Sequence, residues 1–312
     1  MASRASNILR KISPDELKPA RNLLDSVAVR KFTTRSDLRG GLQFAAHLAC
    51  VSATGLLVCL TESYWFLVLP AMALHGVTLV TMFAPMHECV HRTAFASRAT
   101  NEVVGWIAGV LSFYNSTYYR YYHTWHHRYT QDPARDPELI YPKASSRFQY
   151  LLEITGVMFW LRRAIDYPAL AFGCTRHLPF VPGSARRRIG LSVSMQLLIY
   201  LAGAATIALG FPTVLYYWFL PLILAQPFLR ALLVVEHTAC SEDRNGLTNT
   251  RTTLGSFPIR LLMWNMPYHA EHHLYPSIPF YRLPAVHLQL RDHLMHIAPS
   301  YIAANRAVIQ SL

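Results

Sequence analysis

Apolar positions along this 312-residue chain gather into four long blocks, with mixed polar and apolar stretches between them. The first block runs from about Leu42 to Leu60 and the second from about Tyr64 to Ala84, with only Thr61, Glu62 and Ser63 between them. The third runs from about Ile189 to Leu209 and the fourth from about Thr213 to Val235, joined by Gly210, Phe211 and Pro212. Each block is close to the roughly 20 helical residues needed to span about 30 Å of hydrocarbon. The pattern predicts four transmembrane helices arranged as two tight hairpins.

Residues 85–188, between the hairpins, are too apolar for a linker and too interrupted by charge for clean spans. Val103 to Phe113 is an apolar run of about 11 residues, which suits an interfacial or re-entrant helix. Its Gly105 and Gly109 form a GxxxG pair, a weak signal for close helix packing. A second surface helix is expected from Ser146 to Asp166, and Pro168, Pro179, Pro182 and Gly183 predict loops before the third block. The segment from Glu236 to Leu254 reads as loop, followed by a short tail. A single all-α integral membrane domain results: an N-terminal segment over 1–41, hairpins over 42–84 and 189–235, and helical cap segments over 85–188 and 236–312.

Composition agrees with a membrane protein, since 52% of residues are hydrophobic and only 15% charged. Orientation follows from Lys and Arg, which accumulate on the cytoplasmic side. Neither hairpin turn contains one, whereas Arg4, Arg10, Lys11, Lys18, Arg21, Arg30, Lys31, Arg35 and Arg39 precede the first block. Both termini and the cap are therefore expected in the cytoplasm. The net charge of +12 is explained by this topology and by attraction to anionic lipid headgroups, without nucleic acid as a partner. The start is polar and basic with no apolar core, so no signal peptide is expected. Cys50, Cys59, Cys89, Cys174 and Cys240 lack CxxC spacing and read as reduced thiols.

Three histidine clusters carry the candidate chemistry: His87 and His91 in HECVH, His123, His126 and His127 in HTWHH, and His269, His272 and His273 in HAEHH. Residues three or four apart share a helix face, so each cluster aims two or three imidazoles at one point. Eight imidazoles exceed the four-coordinate shell of a single zinc ion, and two metal ions are the simplest reading. The first cluster begins just after the second block, and Glu236-His237 ends the fourth. The site therefore belongs at the membrane boundary, with His237 as a ninth ligand.

The set HECVH, HTWHH and WNMPYHAEHHLYPS, separated by two helical hairpins, resembles the integral-membrane fatty acid desaturase family. The resemblance extends from the first span to about Pro284, including EHT after the fourth span. It implies a di-iron centre with two Fe2+ ions, held by His87, His91, His123, His126, His127, His237, His269, His272 and His273, that uses O2 to oxidise an unactivated C–H bond. Removing hydrogen from a methylene needs a strong oxidant, which iron supplies and redox-inert zinc does not. Carboxylates that orient imidazole N–H groups are expected among Glu88, Glu236, Glu271, Asp132 and Asp136.

The residues leave the substrate open. An acyl lipid suits the family, but the compact form resembles bacterial members, the dihydrorhizobitoxine-desaturase type among them, which act on a small amino-acid derivative. Hydroxylation of an alkyl or lipid substrate by the same ligands is a further alternative. Tyr118, Tyr119, Tyr121, Tyr122, Trp125, Trp264, Tyr268 and Tyr275 either wall an acyl tunnel or form an interfacial belt. Arg120, Arg128 and Lys143 suit an anionic headgroup, a redox partner or lipid. With neither a cytochrome b5-like HPGG nor cysteines for an iron–sulfur cluster, electrons are expected from an external ferredoxin or cytochrome b5-type donor. The expected location is the bacterial inner membrane.

Two rivals come from other classes. His87-Glu88-Cys89-Val90-His91 also fits the HExxH of zinc metallopeptidases, with Glu88 activating water. A non-enzymatic metal carrier needs ligands along the spans, where only His47 and His75 occur.

Overall fold

A computed structural model describes residues 23–312. Arg4, Arg10, Lys11, Lys18 and Arg21, used above for orientation, and the segment read for a signal peptide, lie outside the described residues or largely so.

The chain enters through α1, Ser26–Phe32, and α2, Asp37–Thr61. Ser36 caps α2 by accepting from the Arg39 N–H at 3.3 Å, satisfying one of the orphan donors of a helix start. Along α2 only Gly40, His47 and Val58 are buried. Leu42, Leu56 and Leu60 are exposed, an outward apolar face that suits lipid as solvent. Three residues then turn the chain into α3, Trp65–Val80.

Beyond α3 the path bends at Thr81 and Met82 before α4, Phe83–His91. The cause is Pro85, which has no N–H to give the Thr81 carbonyl. The Ala84 N–H takes that carbonyl instead, at 2.9 Å, and the turn tightens. The second apolar block thus runs without a loop into the first histidine cluster.

Next come α5, Arg98–Ser112, and α6, Ser116–Tyr129. The expected 11-residue interfacial element is the longer α5, and its GxxxG pair does mark close packing. A Cβ on Gly105 would meet the Cys89 Cβ at 2.7 Å, and one on Gly109 would meet the Tyr114 carbonyl oxygen at 2.5 Å.

The single surface helix expected over 146–166 is two helices, α7, Arg147–Ile154, and α8, Val157–Ala171. Gly156 breaks them with φ +75°, and a Cβ there would strike Gln226 Cβ at 2.6 Å, so both conformation and space demand glycine. Pro168 lies inside α8 and begins no loop.

The third span, α9, Gly183–Ala208, starts earlier than its apolar run because Arg186, Arg187 and Arg188 form its first turns. A π-helical turn over Leu215–Phe219 leads into α10, Leu220–Leu233. Among the described residues, four helices are thus long and apolar enough to cross a membrane: Asp37–Thr61, Trp65–His91, Gly183–Ala208 and Leu215–Leu233. Leu79, Val80, Phe83, Met86, Leu222, Leu229 and Trp264 make the main core where α3, α4 and α10 meet.

After α10, two short strands interrupt the helical pattern. β1, Arg251–Thr253, is followed by α11, Phe257–Leu262, α12, His269–Leu274, and α13, Leu283–Leu290. β2, His296–Ala298, pairs with β1 in parallel, Thr252 opposite Ile297, and α14, Tyr301–Ser311, closes the chain. The segment expected to be loop therefore contains a strand, and the expected short tail returns to pair with it.

Candidate metal centre

Four elements bring the histidines together. α4 presents His87 and His91, α6 presents His123, His126 and His127, α12 presents His269, His272 and His273, and the turn after α10 supplies His237. Their nitrogens form two groups. His87, His91, His123, His127 and His272 can place ligand atoms within 4.8 Å of one another, and His126, His237 and His273 make a second such set. His269 joins the second through its Nε2, 3.1 Å from His237 Nε2.

Separations within the groups fit ligands better than packed rings. His87 Nε2 is 2.6 Å and His127 Nε2 2.9 Å from His123 Nε2, and His126 Nε2 is 3.2 Å from His237 Nε2. Nitrogens at neighbouring positions around one ion, each about 2.1 Å from it, lie about 3 Å apart. The buried nitrogens His91 Nε2, His272 Nε2 and His273 Nε2 have no hydrogen-bond partner. Buried polar atoms are rarely left so unless something binds them.

Partners on the far side of each ring select the tautomer. Asp136 Oδ1 accepts from His126 Nδ1 at 2.9 Å, and the Asn249 carbonyl accepts from His237 Nδ1 at 3.2 Å. The Thr130 hydroxyl spends its proton on the His126 carbonyl, so it accepts from His273 Nδ1 at 3.2 Å. All three rings then carry their N–H outward and their Nε2 lone pair inward. Two lone pairs facing at 3.2 Å, as at His126 and His237, repel unless a proton or cation lies between them. The donor set and its orphaned atoms therefore fit a metal pair.

Electrostatics point the same way. Burial pushes His123, His127, His237, His269, His272 and His273 well below the ordinary imidazole value, keeping them neutral as ligands must be. For His126 burial acts in that direction too, but the Glu138 and Asp136 carboxylates outweigh it and raise the ring. Positive charge is favoured there. Glu236, pushed well above the usual carboxylate value by burial and then by Glu138, lies 3.4 Å from His269 Nε2.

Of the five expected orienting carboxylates, Asp136 holds the outward nitrogen of a cluster imidazole, whereas Glu236 lies against the inward Nε2 of His269. Glu88 is 4.0 Å from His87 Nδ1 and accepts instead from the Thr93 hydroxyl and the Phe280 N–H. Glu271 accepts from the Thr252 hydroxyl at 2.5 Å and pairs with His287, so it locks α12 to β1 and α13. Asp132 pairs with Arg135 and Arg244 and touches no imidazole, because it faces out of the turn that Asp136 closes. Sequence reasoning missed Glu138, 3.7 Å from His126 Nε2, and also Thr130 and Asn249. Glu138 sits two residues beyond Asp136, a spacing that could have suggested it.

A chamber of about 680 Å³ opens onto His87, His123, His126, His237 and His269. Tyr118, Tyr119 and Tyr122 line it, and Tyr119 stacks on His123 at 5.0 Å. The remaining aromatics have other roles. Tyr121 accepts from Arg188, Trp125 donates to the Arg135 carbonyl, and Trp264 is fully buried. Tyr268 packs on His287, and Tyr275 accepts from the Leu24 N–H. Arg120 ties α6 to the end of α4 through the Val90 carbonyl at 3.1 Å and pairs with Glu102. Lys143 lines the chamber and donates to Gln131.

The rivals fare poorly. Glu88, the water-activating group of a peptidase, is absent from the chamber wall and fully buried. His47 bonds to the Thr78 carbonyl and accepts from Trp264, while His75 bonds to the Tyr217 carbonyl and Thr54. Both span histidines are used in helix packing.

Comparison with known proteins gives the family. The family model described as Fatty acid desaturase matches residues 63–304. The chain is 25% identical to an sn-1 oleoyl-lipid 12-desaturase of Picosynechococcus sp., over 79% of this chain and 75% of the relative. It is also 25% identical to a chloroplastic omega-6 fatty acid desaturase of Glycine max, over 76% of this chain and 59% of that protein. A dihydrorhizobitoxine desaturase of Bradyrhizobium elkanii is 25% identical over 79% of this chain and 74% of its own.

Proposed function

The chain belongs to the fatty acid desaturase family, and from that premise we propose that this membrane oxidoreductase holds two iron ions in its histidine cluster and introduces a C=C bond into an acyl chain. The carrying observation is the division of eight imidazoles into groups of five and three, with His269 against the smaller one, whose inward nitrogens are orphaned or face one another. We assign His87, His91, His123, His127 and His272 to one ion, and His126, His237, His269 and His273 to the other. Iron, when bound, supplies with O2 and two external electrons the oxidising power to remove hydrogen from a methylene.

The chain's own groups do the rest. Asp136, Asn249 and Thr130 hold ring N–H groups outward, and the raised Glu236 can hold a proton beside His269. The Tyr114, Tyr119 and Tyr122 rings exclude water from the approach and align a chain against the imidazoles. Electrons come from a separate ferredoxin or cytochrome b5-type donor. The cap faces the cytoplasm of a bacterium, with the spans in its inner membrane. Arg186, Arg187 and Arg188 at the cap end of α9 support that orientation.

The test is mass spectrometry of lipids and polar metabolites from cells expressing the chain, beside an otherwise identical His126→Ala control. A product lighter by two hydrogens, present only with the unaltered chain, is expected. A product heavier by one oxygen would replace desaturation with hydroxylation.

A further inference from the structure

The chamber holds positive charge that the metal centre does not use. Arg163 of α8 and Arg230 at the end of α10 both line it. Their guanidiniums stand over one ring, Phe159, at 4.8 and 4.9 Å from its centroid. Tyr114 is shared as well: Arg163 lies 4.8 Å from its ring, and Arg230 Nη2 donates to its hydroxyl at 2.5 Å.

Neither guanidinium has a counter-ion in contact. Among the described residues, the arginines with a carboxylate within 4 Å are Arg92, Arg120, Arg135, Arg162 and Arg244. Arg163 Nε donates to the Phe113 carbonyl at 3.1 Å. Arg230 Nε is buried with no hydrogen-bond partner. Two like charges around one ring, away from bulk water, are costly unless an anion joins them.

Five acidic groups line the chamber: Glu153 pairs with Arg162, and Asp166, three residues beyond Arg163 on α8, lies near that arginine without touching it. Asp136 and Glu138 lie against His126, and Glu236 lies against His269. The chamber is thus acidic at the imidazoles, while beyond Tyr114 Arg163 and Arg230 outnumber Asp166 once Arg162 is paired with Glu153. The Tyr114 ring is 4.6 Å from Phe83, which is in turn 5.8 Å from the His87 ring. An anion beside Tyr114 would therefore be joined to a carbon at the cluster by a chain of several methylenes.

We propose that the substrate enters this chamber by an anionic group, a carboxylate or a phosphate, clasped between Arg163 and Arg230, with its carbon chain laid along Phe159, Tyr114 and Phe83. Guanidinium forks match either anion with paired hydrogen bonds. An acyl chain esterified in an uncharged lipid offers this pair only a neutral carbonyl, a weaker acceptor than an anion. That the bound molecule is a substrate rests on the desaturase reading; the anion site itself does not.

Binding of stearate, octadecyl phosphate and methyl stearate to the full chain in nanodiscs tests this by competition against a fluorescent fatty acid. Stearate or octadecyl phosphate should bind at least about tenfold tighter than the ester. The tighter of the two anions identifies the source, a free acid or a phospholipid-type head. In R163Q and R230Q the preference should fall towards unity while ester affinity stays unchanged, which also reports an intact fold. R163K and R230K should recover part of it. Equal affinity for all three ligands, or a preference unaltered in both Gln variants, overturns the proposal. Because no turnover is needed, a chain that shows the preference but forms no product in the expression assay would count against the desaturase reading alone.

Discussion

Asp136 holds His126 from behind: its Oδ1 lies 2.9 Å from the ring Nδ1, while its Oδ2 accepts from the Gln131 N–H at 2.8 Å. One carboxylate therefore fixes both a ring and the turn that follows α6. The pairing gives the ring a defined tautomer and raises its basicity, as carboxylates behind metal-ligating histidines do. In Asp136→Asn the amide can turn an N–H toward Nδ1 and reverse the tautomer. Iron retained after dialysis, and turnover, should fall about 10- to 100-fold. Unchanged iron content in a folded variant would remove Asp136 from the metal centre.

The two histidine groups predict a shared loss. His272→Ala and His126→Ala remove ligands from different groups, yet each should abolish turnover and lower bound iron from two ions per chain towards one. Elemental analysis of purified protein reads this directly. Full activity in either variant would dissolve the two-ion arrangement.

Glu88 separates the desaturase from a peptidase. Its carboxylate accepts from Thr93 and Phe280, roles that the amide oxygen of Glu88→Gln can keep. Turnover should drop far less than in His126→Ala. Complete inactivity of Glu88→Gln beside an active His126→Ala would restore the zinc reading.

Arg251 is a buried clamp, 6% exposed, whose guanidinium donates to the carbonyls of Val235, Thr238 and Ala239. These are the turns that carry His237. Arg251→Met keeps much of the bulk and leaves those carbonyls unpaired, at a cost of about 3 kcal/mol. A lower thermal midpoint with reduced iron occupancy is expected; an unshifted midpoint would deny the clamp.

At Gly109 an added methyl would meet the Tyr114 carbonyl oxygen at 2.5 Å, backbone and not a flexible side chain, so the turn between α5 and α6 must shift to admit it. Gly109→Ala should destabilise by about 2 kcal/mol. Wild-type stability in a denaturant titration would show that the contact yields freely.

Much of this design was legible in sequence because its signals are long or periodic. An apolar block of about 20 residues has few alternatives to a span, and three- and four-residue spacing fixes which imidazoles share a helix face. What escaped depends on single contacts. Gly156 breaks α7 from α8 because Gln226, distant in sequence, leaves no space for a Cβ. The three-residue strands β1 and β2 are too short to show alternation, and their pairing joins segments far apart. Asp132 and Asp136 look alike in QDPARDPE, and only the turn geometry sends one to arginines and the other to His126.

The parallel pairing of β1 with β2 also sets an order of assembly during synthesis. Thr252 of β1 fastens Glu271 between the third-cluster histidines, while its backbone neighbours are completed by Ile297. The last ligand, His273, is translated before β2. A nascent chain can therefore possess all nine cluster histidines while β2, the strand that completes β1 beside α12, is still inside the ribosome. Completion of the sheet beside α12 is then tied to chain release and not to membrane insertion of the spans.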